Sequence, residues 1–416
     1  MTNLRSLRAS LSRSRRIVAF AALCLALVGC GSGELDDQAA VSPELELADT
    51  FNSDANHTDA AENSASSTNR SESAAAPSAT EQTLSDAVKI RWEFQADEAL
   101  ESTPALADGR VIVADVMGKV YAIDYASGKE LWSIDYDTGF LAAPVIRDDR
   151  LFIGDIEGNL YCLKAADGTE IWKGVTDGEI NGSAAFYQDN VLITSQDGKL
   201  YCFDQGDGSL VWEYQTDDQI RCSPSIAKDR TFLGGCDGKL HIVDLNTGQP
   251  AGDPLPLAGP TGSTPAIVGT HAFVPIMDGL IYAFDWEQQQ ELWVHEDPDR
   301  PQEYRNSPAI SEDMIVVSSQ FKQVDAISLE TGKLVWRHTL RRRADASPVI
   351  DGDDVWIAAT DGRLIRLDLA TGLPRDWEYE SRGEFYAAPL IVGNELLIAD
   401  DNGVVRCFTG IKDGPE

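Results

Sequence analysis

Positive charge is what this chain has least of. Its 416 residues include 34 Lys and Arg against 68 Asp and Glu, a formal charge of −34. A surface of that sign lacks the basic grooves that release phosphate counterions, which excludes nucleic acid as a partner. It also argues against adsorption to anionic lipid. The most apolar stretch, Ile17 to Val28, is twelve residues long and too short to cross a bilayer. Histidine is scarce: His57, His241, His271, His295 and His338 are scattered without metal-ligand spacing. There is no nucleophile motif, no phosphate-binding loop and no Cys-Cys pair. The residues therefore assign no catalytic, cofactor-binding or metal site.

What is present begins with an export signal. Arg5, Arg8, Arg13, Arg15 and Arg16 precede the apolar run, which ends in Leu27-Val28-Gly29-Cys30. This pattern resembles a bacterial lipobox, and it makes residues 1–29 a signal peptide and Cys30 the lipidated residue. An ordinary secretory signal is the competing reading. Removing residues 1–29, which hold five arginines and no acid, leaves 29 basic against 68 acidic groups. Residues 30–87 form an acidic linker with almost no large apolar side chain; Gly31 to Ala87 holds twelve acids and Arg70. Such a segment buries too little surface to offset its ordering entropy and is expected to be disordered, with a reach of roughly 40 Å.

Beyond the linker the chain repeats. Val120 to Trp132 alternates apolar residues, turns at Ser127-Gly128 and ends on tryptophan. The phrase returns at Leu160 to Trp172 and at Leu200 to Trp212. The tryptophans are Trp92, Trp132, Trp172, Trp212, Trp293, Trp336 and Trp377, with Asp253-Pro254-Leu255 where one is missing. A small residue before proline recurs at Thr103, Ala143, Ser223, Thr264, Ser307, Ser347 and Ala388, and Ser183-Ala184 fills the remaining slot. A third marker is the turn at Met117-Gly118, Glu157-Gly158, Asp197-Gly198, Asp237-Gly238, Asp278-Gly279, Asp361-Gly362 and Asn402-Gly403, from which Phe321-Lys322 departs. Each marker counts eight repeats of four short strands. One four-stranded sheet cannot bury both faces, but eight packed radially can. The expected fold is all-β: an eight-bladed β-propeller of four-stranded antiparallel blades over residues 88–410, followed by a tail, 411–416. The strand around Trp92 lacks three predecessors and the last repeat lacks a tryptophan strand, so the N-terminal strand is expected to close the ring.

Ala122-x-Asp124-x-x-Ser127-Gly128-Lys129-Glu130-x-Trp132 resembles the tryptophan-docking motif of PQQ-type propeller repeats. Ala283 to Trp293 and Ala326 to Trp336 are looser copies. That superfamily holds the quinoprotein alcohol dehydrogenases and the non-catalytic BamB-type lipoproteins. A lipobox, a linker and eight plain blades look like the second group. The resemblance implies a lipid-anchored periplasmic scaffold, without cofactor, that binds envelope proteins such as a β-barrel assembly factor. Gly31 in place of an aspartate favours the outer membrane over the inner. The alternative is a PQQ-dependent dehydrogenase or small-ligand sensor using the axial channel. The forty-residue period leaves little room for the loops that enclose a quinone.

Basic groups gather on the loops between blades, at Arg221, Arg300, Arg305 and Arg341-Arg342-Arg343. Local charge balancing is one reading. A partner-docking surface using arginine's planar fork is the other, with Arg221, Arg305, Arg341, Arg342 and Arg343 as its residues. Cys222 and Cys236 lie symmetrically about Asp229 and are the candidate disulfide in an oxidising compartment. His295 and His338 each follow a tryptophan by two places and are expected as solvated rim residues.

Overall fold

The computed structural model describes residues 88–297 and 300–411. The signal peptide, Cys30, the linker and residues 412–416 lie outside the described residues. All regular elements within them are strands, arranged as eight four-stranded antiparallel sheets. Blade 1 comprises Ala105–Ala107, Arg110–Ala114, Lys119–Asp124 and Glu130–Asp135. Blades 2 to 7 follow over 145–175, 185–215, 225–256, 266–296, 309–339 and 349–380. Blade 8 takes Leu390–Val392, Glu395–Ala399 and Val404–Thr409 from the C-terminus and Lys89–Gln95 from the N-terminus. The fold is the eight-bladed propeller, and the N-terminal strand does complete its last blade.

The two middle strands of each blade alternate short apolar residues and are buried almost throughout, whereas the fourth strand is half exposed. First strands of neighbouring blades touch, which puts them nearest the axis. One hydrophobic cluster fills each of the eight blade boundaries. The closing one joins Trp92, Val405 and Cys407 of blade 8 to Val111, Tyr121 and Ile123 of blade 1. Ile411, expected in the tail, is instead 1% exposed and packs at the boundary of blades 7 and 8.

In every blade but the fourth, the tryptophan of the outer strand reaches across its boundary. The indole N–H of Trp92 donates to Tyr125 O at 2.8 Å, that of Trp172 to Gln205 O at 3.0 Å, and that of Trp336 to Leu369 O at 2.7 Å. Beneath the ring lies the turn glycine of the next blade. A Cβ on Gly208 would stand 2.6 Å from the Trp172 ring, and one on Gly372 2.4 Å from Trp336. These glycines therefore answer two demands, a φ near +70° and the close approach of an indole.

Two expectations are corrected here. His295 is not a solvated rim residue: it is 7% exposed, and its Nδ1 bonds Gly332 O at 2.8 Å across the boundary of blades 5 and 6. His338 is half-buried and bonds the Gly372 backbone in the same way. The residue two places beyond the tryptophan lies on the same strand face and so meets the same glycine turn. The second correction concerns Cys222, a free, buried thiol whose Sγ donates to Gly234 O at 3.2 Å. The turn at Lys228-Asp229 pairs Ser225 with Phe232, a register that would set Cys222 opposite Gly235, not Cys236. The hairpin is offset by one residue from the symmetry read in the sequence, so the Cys222–Cys236 bridge is not formed. Burial pushes the Cys222 thiol up to about 11.

Candidate functional site

Two sets of loops make one face of the ring: those joining blade to blade, and those between the second and third strands within a blade. A backbone bond ties them at every blade. Val116 N–H donates to Ala99 O, Gln196 to Glu179, Cys236 to Gln219, Gln320 to Glu303 and Thr360 to Arg343, at 2.9–3.1 Å. Carboxylates beneath brace the inner loops. Asp115 accepts from Met117 N–H at 3.0 Å and Lys119 N–H at 2.9 Å, and from the Tyr121 hydroxyl at 3.1 Å. Tyr161 and Asp155 repeat the pair, as do Tyr201 and Asp197. Burial, reinforced by the adjacent carboxylates, holds these hydroxyls well above the usual range, so they remain donors. In blade 4 a histidine replaces the tyrosine, giving the chain Tyr214–His241–Asp237 with contacts of 2.9 and 2.8 Å. Its histidine and acid are only 4% and 3% exposed, so no substrate reaches them and the chain is a brace.

The small residue before proline lines the mouth of the axial channel, a cavity of about 260 Å³. There it forms a run of bonds around part of the axis. Ser183 N–H donates to Ser223 Oγ, Ser223 N–H to Thr264 Oγ1, Thr264 N–H to Ser307 Oγ and Ser307 N–H to Ser347 Oγ, at 2.8–3.1 Å. Ala388 N–H donates to Thr103 Oγ1 at 3.2 Å, which carries the pattern across the closure. The proline that follows removes a donor where no partner would stand.

Of the arginines read as a docking set, Arg221 and Arg305 are brought together at this mouth. Arg305 Nε is paired with Glu303 at 2.5 Å, while Arg221 bonds only the Gln219 amide, at 3.1 Å. Arg343 is tied down by Asp345 at 3.0 Å. Arg341 and Arg342 stand apart from the mouth, exposed and without an ion pair among the described residues. Arg300 is exposed as well. Beside them is Phe321, from the Phe321-Lys322 departure that the sequence marks as a place to look for function, and it is 54% exposed. Its loop sits between the two arginine-bearing loops: Gln320 N–H bonds Glu303 O, and Leu340 N–H bonds Lys322 O. Lys322 holds φ +71°, the conformation for which the other seven blades use glycine. The signal in the sequence is the broken Asp-Gly pattern. Met117, 53% exposed, lies on the same face in blade 1. Among the described residues no cluster of three or more His, Cys, Asp or Glu could hold a metal ion.

A solved structure of BamB from Moraxella catarrhalis superposes with a TM-score of 0.68 at 20% identity, covering 79% of this chain and 99% of that one. The quinohemoprotein alcohol dehydrogenase of Comamonas testosteroni gives 0.67 at 12% identity, over 79% of this chain and 78% of its own. The computationally designed Ika8 protein gives 0.66 at 17%, over 76% and 97%. At such identities these likenesses show the fold. In sequence, the outer membrane protein assembly factor BamB of Legionella pneumophila (strain Paris) is 25% identical over 111 residues, 24% of this chain. That match spans only 28% of the Legionella protein's own length. The family described as outer membrane protein assembly factor BamB matches over residues 83–136, 116–266 and 254–414, essentially the whole propeller, and the chain belongs to that family.

Proposed function

We propose that this protein is a lipid-anchored scaffold on the periplasmic side of the outer membrane. It holds an envelope protein, a β-barrel assembly factor, against the face where the blade-joining loops lie. The observation that carries this reading is Phe321, an exposed aromatic beside Arg341 and Arg342, two exposed cations without an ion pair among the described residues, in a chain of charge −34. Aromatic and arginine side chains dominate binding hot spots, because each offers a large rigid contact at low entropic cost. A lysine kept in the left-handed region, where glycine would be relaxed, is strain of the kind retained at functional loops. Family membership supports the assembly role, and the lipobox supports Cys30 as the anchor, with neither a catalytic step nor a cofactor in the account.

The test is capture of envelope proteins from detergent-solubilised membranes. Arg342→Glu with Phe321→Ala removes the principal partner, and Arg221→Glu weakens it less. Retention of every partner by the double variant contradicts the docking reading. Labelled palmitate incorporated by the native chain but not by Cys30→Ala tests the anchor. Adding PQQ and Ca²⁺ with a dye acceptor tests the dehydrogenase alternative; the scaffold reading expects no quinone binding and no turnover.

A further inference from the structure

Two of the four charged residues that line the axial mouth are neutralised in place: Arg305 by Glu303 and Asp345 by Arg343. Two are not. Arg221 makes no ion pair among the described residues, and its Nε is buried without any hydrogen-bond partner. Glu101 meets no cation among the described residues; burial, with Asp401 nearby, holds its carboxyl above the usual range. The two stand three blade boundaries apart around a ring of eight, on different arcs of one cavity. The wall also carries two unpartnered acceptors, Asn181 Oδ1 and Asn306 Oδ1. Asn306 is 6% exposed, and its Nδ2 is fixed by Ser318 Oγ at 2.5 Å and by Ala344 O and Ala346 O at 3.0 Å each. The assignment of its free oxygen therefore follows from three acceptors on the other side of the amide. Buried donors and acceptors without partners are rare, and three of them line this one hydroxyl-rimmed cavity.

We propose that the axial mouth binds a short zwitterionic peptide, its carboxylate on Arg221, its ammonium on Glu101 and its amide N–H groups on Asn181 and Asn306. The cavity of about 260 Å³ falls just below the usual range for drug-sized ligands, which selects something small. Its polar lining selects something polar, and its separated charges select a molecule with both signs. The inference shares Arg221 with the docking reading but rests on the axial cavity, not on Phe321, Arg341 and Arg342, so peptide titration and partner capture fail separately.

Calorimetric titration of the full-length protein with dialanine, N-acetyl-dialanine and dialanine amide tests it. Dialanine is expected to bind, and each derivative, having lost one charge, to bind at least about tenfold more weakly. Glu101→Gln is expected to abolish the penalty of acetylation, and Arg221→Gln that of amidation. No heat with dialanine at about 10 mM, or equal affinity for all three compounds, overturns the proposal. So does dialanine affinity unchanged by either substitution. The three-compound comparison on the native protein decides the matter even where a variant folds poorly.

Discussion

At Gly208 a single hydrogen decides whether two blades can meet. Replacing it by methyl puts a carbon 2.6 Å from the Trp172 ring at a φ of +74°. Gly208→Ala should cost about 1–3 kcal/mol through overpacking, and Trp172→Ala about 3–5 kcal/mol through the cavity left behind. Urea melts measure both, and a neutral Trp172→Ala contradicts the inter-blade role. His338 offers a pH test at the same kind of contact. Burial first, and then the Arg363 charge, depress its pKa below 6.5. The folded state thus favours the neutral ring. Its contribution is complete above the unfolded value of about 6.5 and is lost as pH falls toward the lower folded value. Stability should drop as pH falls below about 6.5, and His338→Gln should flatten that drop. An unchanged slope shows that the ring does not titrate against folding.

Among elements, the outer strand of blade 4 shows how the repeat tolerates an exception. Only Leu255–Pro256 pairs as a regular strand, and the tryptophan is absent. The next blade lacks the matching glycine and places Gln289 there, its amide over Gly252. The gap is filled from the far side. Trp286, 7% exposed, packs its ring 5.3 Å from that of Phe232 and bonds Gly269 O at 3.1 Å. Trp286→Ala should therefore cost about 3–5 kcal/mol, as much as a regular docking tryptophan. Thermal melts check this, and a loss under about 1 kcal/mol means the boundary holds without it. Blade number, strand order and closure were legible in the sequence, because each follows from a residue repeated at a fixed interval. The filler was not, because Trp286 compensates a residue that lies in another blade. The Cys222–Cys236 reading failed for a related reason: turn length sets register, and one residue decides which side chains face each other. The arginines could be read from composition, but which of them are free depends on Glu303 and Asp345, whose positions only the fold reveals.

Over the whole molecule, the chain enters the ring at Lys89 and runs along the outer strand of blade 8 to Ala96, where the first blade-joining loop begins. The described chain therefore starts at the face opposite the arginine-bearing loops. A contact built on Arg341 and Arg342 should weaken with ionic strength, since exposed charges are screened within about 8 Å at physiological salt. Partner capture retained unchanged at high salt assigns the binding to Phe321 instead. The most direct measurement of the docking account is site-specific photocrosslinking in native membranes. A photoreactive phenylalanine analogue at Phe321 is compared with one at Lys129, in a turn on the opposite face. The account predicts a crosslink to one outer-membrane assembly protein from position 321 and none from position 129; the same adducts from both, or adducts from 129 alone, contradict it.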